Sequence, residues 1–98
     1  MTPLHITALC GHIGVVERLL ENGALIDNID DCNNTALHYA AVRGHTGVVE
    51  LLLEEGAFID AQNVGNDTPL QLAAWDFPNT AQLLQRKGAR EVHIWQLW

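Results

Sequence analysis

Apolar positions along this chain fall in short stripes of helical spacing, punctuated by glycine and asparagine. Leu37, Ala40 and Ala41 stand at i, i+3 and i+4, one face of a helix. Val48, Val49, Leu52 and Leu53 make a second stripe. Thr35 precedes the first and predicts an N-cap, because its hydroxyl can accept a free amide of the opening turn. Gly44 and Gly56 follow the stripes and predict helix ends, since glycine enters the left-handed region without a Cβ clash. Helices of about two to three turns are marginal alone. They must bury their stripes on each other and on neighbours.

The chain supplies the neighbours. Thr2-Pro3-Leu4-His5, Thr35-Ala36-Leu37-His38 and Thr68-Pro69-Leu70-Gln71 recur every 33 residues. Gly11-His12 matches Gly44-His45, and Val15-Val16 matches Val48-Val49. Gly23-Ala24 matches Gly56-Ala57, with Gly88-Ala89 one residue early. A period near 33 with a T-P-L-H start resembles the ankyrin-repeat family over nearly the whole length. The resemblance implies an all-α solenoid, a right-handed stack of helix–turn–helix units linked by projecting β-hairpin turns. It also implies a module that binds other proteins. The expected organisation is a single domain with repeats at 2–34, 35–67 and 68–89, the last divergent, and an apolar tail at 90–98.

In chain order, Thr2 caps the first helix and Pro3 sits at N1, where a missing amide costs nothing. That helix is expected to run to about residue 10, and the next from about 14 to 21. Leu4, Ile6, Val15 and Leu19 are expected to leave apolar surface at the open end. A solenoid needs a polar outer face on its end repeats, so this end reads as a cut through a longer array, or as a face for self-association. In the connection at 25–34, Ile26 and Ile29 are expected to anchor the loop while its aspartates and asparagines turn it. Asn33 and Asn66 stand where the family usually has glycine, and asparagine best tolerates the left-handed region. Both also open Asn-X-Thr triplets (33–35 and 66–68), which come from the repeated capping threonine and are not expected to carry sugar. The connection at 58–67 repeats the design, with Phe58 and Ile59 expected inward.

Repeat three departs. Its Gly-His turn is replaced by Trp75-Asp76-Phe77-Pro78-Asn79, one residue shorter. Pro78 is expected to stop the preceding helix, and the next helix is expected at 80–87. That helix carries Gln82, Gln85, Arg86 and Lys87, a polar face suited to a terminal repeat. The tail, with Val92, Ile94, Trp95 and Trp98, is apolar enough to fold back on the last repeat or to dock elsewhere.

Composition narrows the function. Ninety-eight residues make one domain. No run approaches the roughly 20 apolar residues that span a bilayer, and residues 1–4 lack the features of a signal peptide. Two cysteines, Cys10 and Cys32, form no CxxC, which favours an intracellular setting, cytoplasm or nucleus. Five Lys and Arg stand against twelve Asp and Glu, for a net charge of −7. An acidic body repels phosphate backbones, so nucleic acid is not expected; a basic protein surface would be steered toward it.

Nothing points to chemistry. His5 and His38 share one repeat position and His12 and His45 another, so they are spaced along the stack and do not converge on a metal. Neither cysteine has a nearby histidine and acid in sequence. No enzyme and no cofactor are expected. The family resemblance implies that partner contacts come from the ends of the first helices and from the hairpin tips. Carried over by position, these are Leu9, Cys10, Val42, Arg43, Trp75 and Asp76, and Ile29, Asp31, Cys32, Asn34, Gln62, Val64 and Asp67. Trp75 and Arg43 belong to the residue types that dominate interface hot spots. Trp75 has two readings, a binding anchor or a filler of the space left by the deletion.

Overall fold

A computed structural model describes residues 1–90; the expectations for the apolar tail lie outside them. Six helices follow in order: α1 (Pro3–Cys10), α2 (Ile13–Glu21), α3 (Ala36–Val42), α4 (Thr46–Glu54), α5 (Pro69–Ala73) and α6 (Pro78–Arg86). The first helices form one layer, α1 on α3 on α5. The second helices form another, α2 on α4 on α6, and each pair also packs internally. The connecting loops close as hydrogen-bonded turns, and no strand forms among the described residues.

Short helices need their ends satisfied, and each first helix starts the same way. Thr2, Thr35 and Thr68 hydroxyls accept the backbone amides of His5, His38 and Gln71. The third residue answers. His5 Nδ1 accepts the Thr2 amide at 2.9 Å, His38 Nδ1 the Thr35 amide at 3.0 Å, and Gln71 Oε1 the Thr68 amide at 2.9 Å. Two orphan donors are thereby satisfied reciprocally. An amide only donates, so Nδ1 of both histidines is bare and the proton sits on Nε2. Nε2 of His5 donates to the Asn28 carbonyl and Nε2 of His38 to the Asp67 carbonyl, each at 2.8 Å. One side chain thus caps a helix and ties down a loop.

Between the layers lies the seam that the stripes require. Leu37, Val49, Leu52 and Leu70 are all buried, together with Leu4, Val16 and Leu84. Leu4 and the half-buried Leu19 therefore leave little apolar surface at the first end; Ile6 and Val15 leave more. Val15 is 47% exposed, whereas Val48, its equivalent one repeat on, is 2% exposed because repeat one covers it.

Repeats also interlock through rings over glycine. Gly11 closes α1 at φ 77°, and a Cβ there would lie 2.7 Å from the His45 ring. His45 Nε2 donates to the Leu9 carbonyl at 2.9 Å. In repeat three the equivalent ring is Phe77, packed over Gly44 at φ 70°. So Phe77, not Trp75, fills the space at the shortened turn. Pro78 opens α6 at N1 and does not merely stop α5; the helix begins two residues before the expected start. Thr80 then meets Thr46 hydroxyl to hydroxyl at 2.9 Å.

Two loop expectations fail. Ile26 and Ile29 are not both anchors: Ile26 packs on the core while Ile29 is 56% exposed. Ile59 packs inward as expected, but Phe58 is 58% exposed. Period-33 equivalence explains Phe58, since its counterpart Leu25 also faces solvent.

Gly44→Ala is expected to cost about 2–4 kcal/mol, from left-handed strain plus collision with Phe77. Gly23→Ala, at φ 91° with open space around it, should cost only about 1–2 kcal/mol. Urea denaturation of both variants checks the difference; equal losses would remove the ring–glycine contact from the account.

Candidate binding rim

The loops that carry the candidate contacts are built by side chains bonding backbone. Asp30 Oδ1 accepts the amides of Cys32 and Asn34, each at 2.9 Å. Asn63, its equivalent, accepts those of Gly65 and Asp67 at 2.9 and 3.0 Å. Asn33 and Asn66 take φ 61° and 64°, the left-handed geometry expected of them. Neighbouring loops are then pinned together. Asn63 Nδ2 donates to Asn34 Oδ1, and the Val64 amide donates to the Cys32 carbonyl, both at 2.9 Å. Farther along the stack, Asp27 accepts the Phe58 amide at 2.9 Å and Asp60 the Arg90 amide at 2.8 Å.

These bonds sort the candidate residues. Cys10, Val42, Arg43, Trp75 and Asp76 are exposed at the ends of the first helices. Ile29, Asp31, Cys32, Gln62 and Val64 are exposed on the loops. Leu9, Asn34 and Asp67 are half-buried and partly committed: the Leu9 and Asp67 carbonyls and the Asn34 side chain hold neighbouring elements. Trp75 is 92% exposed, which rules out its reading as a space-filler. Val42 and Trp75 occupy one repeat position, as do Arg43 and Asp76, at or just beyond the ends of α3 and α5, which pack together.

Sequence reasoning missed the residues that stiffen this rim. Tyr39 donates its hydroxyl to Asp30 Oδ2 and meets the His5 ring edge-on, with centroids 5.7 Å apart. Partial burial pushes the Asp30 carboxyl up, but the Tyr39 hydroxyl and the Asn34 and Cys32 amides outweigh it and hold Asp30 below its ordinary value. The same bond to Asp30 raises Tyr39 above a free phenol. Asp27 with Asp60, and Asp30 with Asn63, recur at the 33-residue period. That spacing was the available signal for their shared roles.

Both ring nitrogens of His5 and of His38 are engaged in structure. Among the described residues no three His, Cys, Asp or Glu side chains are grouped to hold a metal ion. Cys10 and Cys32 are exposed free thiols. A depression of about 710 Å³ beside Gly11, His12, Ile13, Val15 and Arg18 is open to solvent and mostly apolar. It lacks the few convergent polar groups that orient a small ligand. No helix among the described residues is long and apolar enough to cross a membrane.

The family model described as ankyrin repeats (3 copies) matches residues 4–94. No curated protein matches the chain.

Tyr39→Phe is expected to cost about 1 kcal/mol and to let the Asp30 carboxyl titrate closer to its ordinary value. An NMR pH titration of the Asp30 side chain in both proteins checks this; an unmoved Asp30 would assign its low value to the amides alone.

Proposed function

This chain belongs to the ankyrin-repeat family, and on that premise we propose that its rim of first-helix ends and loop tips binds a partner protein. Modules of this family generally bind other proteins. The observation that carries the reading here is Trp75, a tryptophan 92% exposed on a rigid stack with Arg43, Val42 and Asp76 at neighbouring rim positions. Burying a large indole that costs the free protein so much exposed apolar surface is a strong source of affinity. Asp31, Asp67 and Asp76 set three carboxylates against the one guanidinium of Arg43 among the candidate residues, and that excess favours a partner with a basic, partly apolar surface. The rest of the candidate set is Leu9 and Cys10 at the end of α1 and Ile29, Cys32, Asn34, Gln62 and Val64 on the loops. A cytoplasmic or nuclear partner fits two free thiols and no disulfide.

A second reading rests on Ile6 and Val15. They are exposed on repeat one, and the equivalents of both one repeat on, Tyr39 and Val48, are covered by repeat one. In this reading the chain is a segment of a larger array, or self-associates through them, and has no partner of its own. Sedimentation equilibrium at high concentration separates the readings, because a strict monomer removes self-association.

Partners captured on the immobilised protein should be lost from an Arg43→Ala/Trp75→Ala variant and should elute as salt rises. Trp75→Ala alone should change stability by less than about 0.5 kcal/mol, as for an exposed site, whereas Leu37→Ala should lose about 2–5 kcal/mol. A Trp75→Ala protein that binds as well as wild type would overturn the assignment of the anchor.

A further inference from the structure

We propose that the Asn22-Gly23 link at the end of α2 is a site of spontaneous covalent modification. Loss of the Asn22 side-chain ammonia there gives aspartate and isoaspartate, and the isoaspartate form loosens repeat one from the stack. Partner binding plays no part in this.

The reaction is an intramolecular acyl transfer. The backbone nitrogen of Gly23 gives up its proton and attacks the side-chain carbonyl carbon of Asn22. A carbon–nitrogen bond forms, ammonia leaves, and a succinimide ring closes. Water then opens the ring at either carbonyl. One opening gives aspartate. The other gives isoaspartate, in which the main chain runs through the former side chain and is longer by a methylene. Amide plus water becomes carboxylate plus ammonium, and no further reactant is needed. A Cβ on the following residue crowds the closing ring, and a branched one crowds it most. Glycine leaves it free.

The other asparagines are each held back by sequence or by bonding. Asn28, Asn34, Asn63 and Asn79 precede Ile29, Thr35, Val64 and Thr80, all β-branched. Asn33 and Asn66 precede Asn34 and Asp67, whose amides are committed to side-chain oxygens: Asp30 Oδ1 at 2.9 Å and Asn63 Oδ1 at 3.0 Å. Asn22 alone is followed by glycine. Its side chain is exposed and makes no hydrogen bond among the described residues. Around Gly23 the space that a Cβ would enter is open.

The fold slows the reaction without preventing it. Asn22 caps α2 at φ −92° and ψ 14°. The Gly23 amide donates to the Leu20 carbonyl at 3.1 Å and the Ala24 amide to the Leu19 carbonyl at 2.9 Å. Closing the ring turns the Gly23 nitrogen toward the Asn22 side chain and breaks both bonds. The end of α2 is suited to that opening, because helix ends with few buried contacts fray first. Val16 is the buried residue of α2, whereas α4 buries Val48, Val49 and Leu52.

The two products differ in consequence. Aspartate keeps the backbone as it was, and the equivalent position one repeat on already carries a carboxylate, Glu55. Isoaspartate lengthens the link between residues 22 and 23, so the amides of Gly23 and Ala24 lose their register with the Leu20 and Leu19 carbonyls. Leu19, Leu20 and Ala24 pack against the core, and the longer link draws Ala24 away from the two leucines. An end repeat has a neighbour on one side only, so nothing on the other side makes good the loss.

Ageing the folded chain in warm buffer near pH 7.5 tests both halves. An acidic species should accumulate, and peptide mapping should place it at residue 22 as aspartate and isoaspartate, the latter accepting a methyl group from an isoaspartate methyltransferase. Conversion there should outpace every other asparagine by about tenfold or more. Asn22→Gln should age without that species. Conversion at residue 22 in urea but not in the folded protein would overturn the site, as would earlier conversion at Asn33 or Asn66. The purified isoaspartate form should then lose about tenfold protection from hydrogen exchange at the Gly23 and Ala24 amides, and should melt below fresh protein. Asn22→Asp should keep both close to wild type. An isoaspartate form with wild-type protection and melting temperature would overturn the loosening of repeat one.

Discussion

Every first helix in this chain depends on one reciprocal pair of hydrogen bonds, a threonine hydroxyl to an amide three residues on and a side chain returning to the threonine's own amide. Helices of five to eight residues have few internal bonds and many unsatisfied ends. Without the box, α5 in particular would be a turn. With it, the helix starts at a fixed residue and angle, and the apolar stripe that follows meets its neighbour in register. The histidine version adds a tie to a loop, so helix start, stripe and rim are positioned by the same side chain.

That economy explains why so much of the fold could be read from the residues. The threonines at 2, 35 and 68, the glycines at 11 and 44 and the stripes between them fix where helices begin, turn and bury. Each is a local signal, and the period multiplies it. The failures came where a residue's role is defined by the repeat beside it. Phe77 reads as a lost Gly-His turn, yet its ring occupies the place of His45 over the preceding glycine. Pro78 reads as a stop, yet once Phe77 is aligned with His45 it falls at N1 of the next helix. Phe58 reads as an anchor because it is apolar, yet its repeat position faces water and its amide, not its ring, is held.

The rim was less legible than the core for a related reason. A core residue declares itself by apolar character at helical spacing. A rim residue is polar or apolar according to a partner that the chain does not encode. Trp75 stood out by type, and only its exposure removed the filler reading. Asn34 and Asp67 were eligible by position, and only their bonds show them partly spent on holding loops together.

The same bonds change what the negative charge means. Counted along the sequence, the aspartates look interchangeable, a field that keeps the stack in solution or draws in a basic surface. In the structure they divide. Asp27, Asp30 and Asp60 spend their oxygens on backbone amides of loops and of the next repeat, so their charge is partly answered where it stands. A carboxylate accepting such bonds is a structural acceptor first and a steering charge second. Asp31 and Asp76, and the exposed glutamates of α2 and α4, stand apart from these bonds. The charge free to steer is therefore smaller than the net charge of −7 suggests.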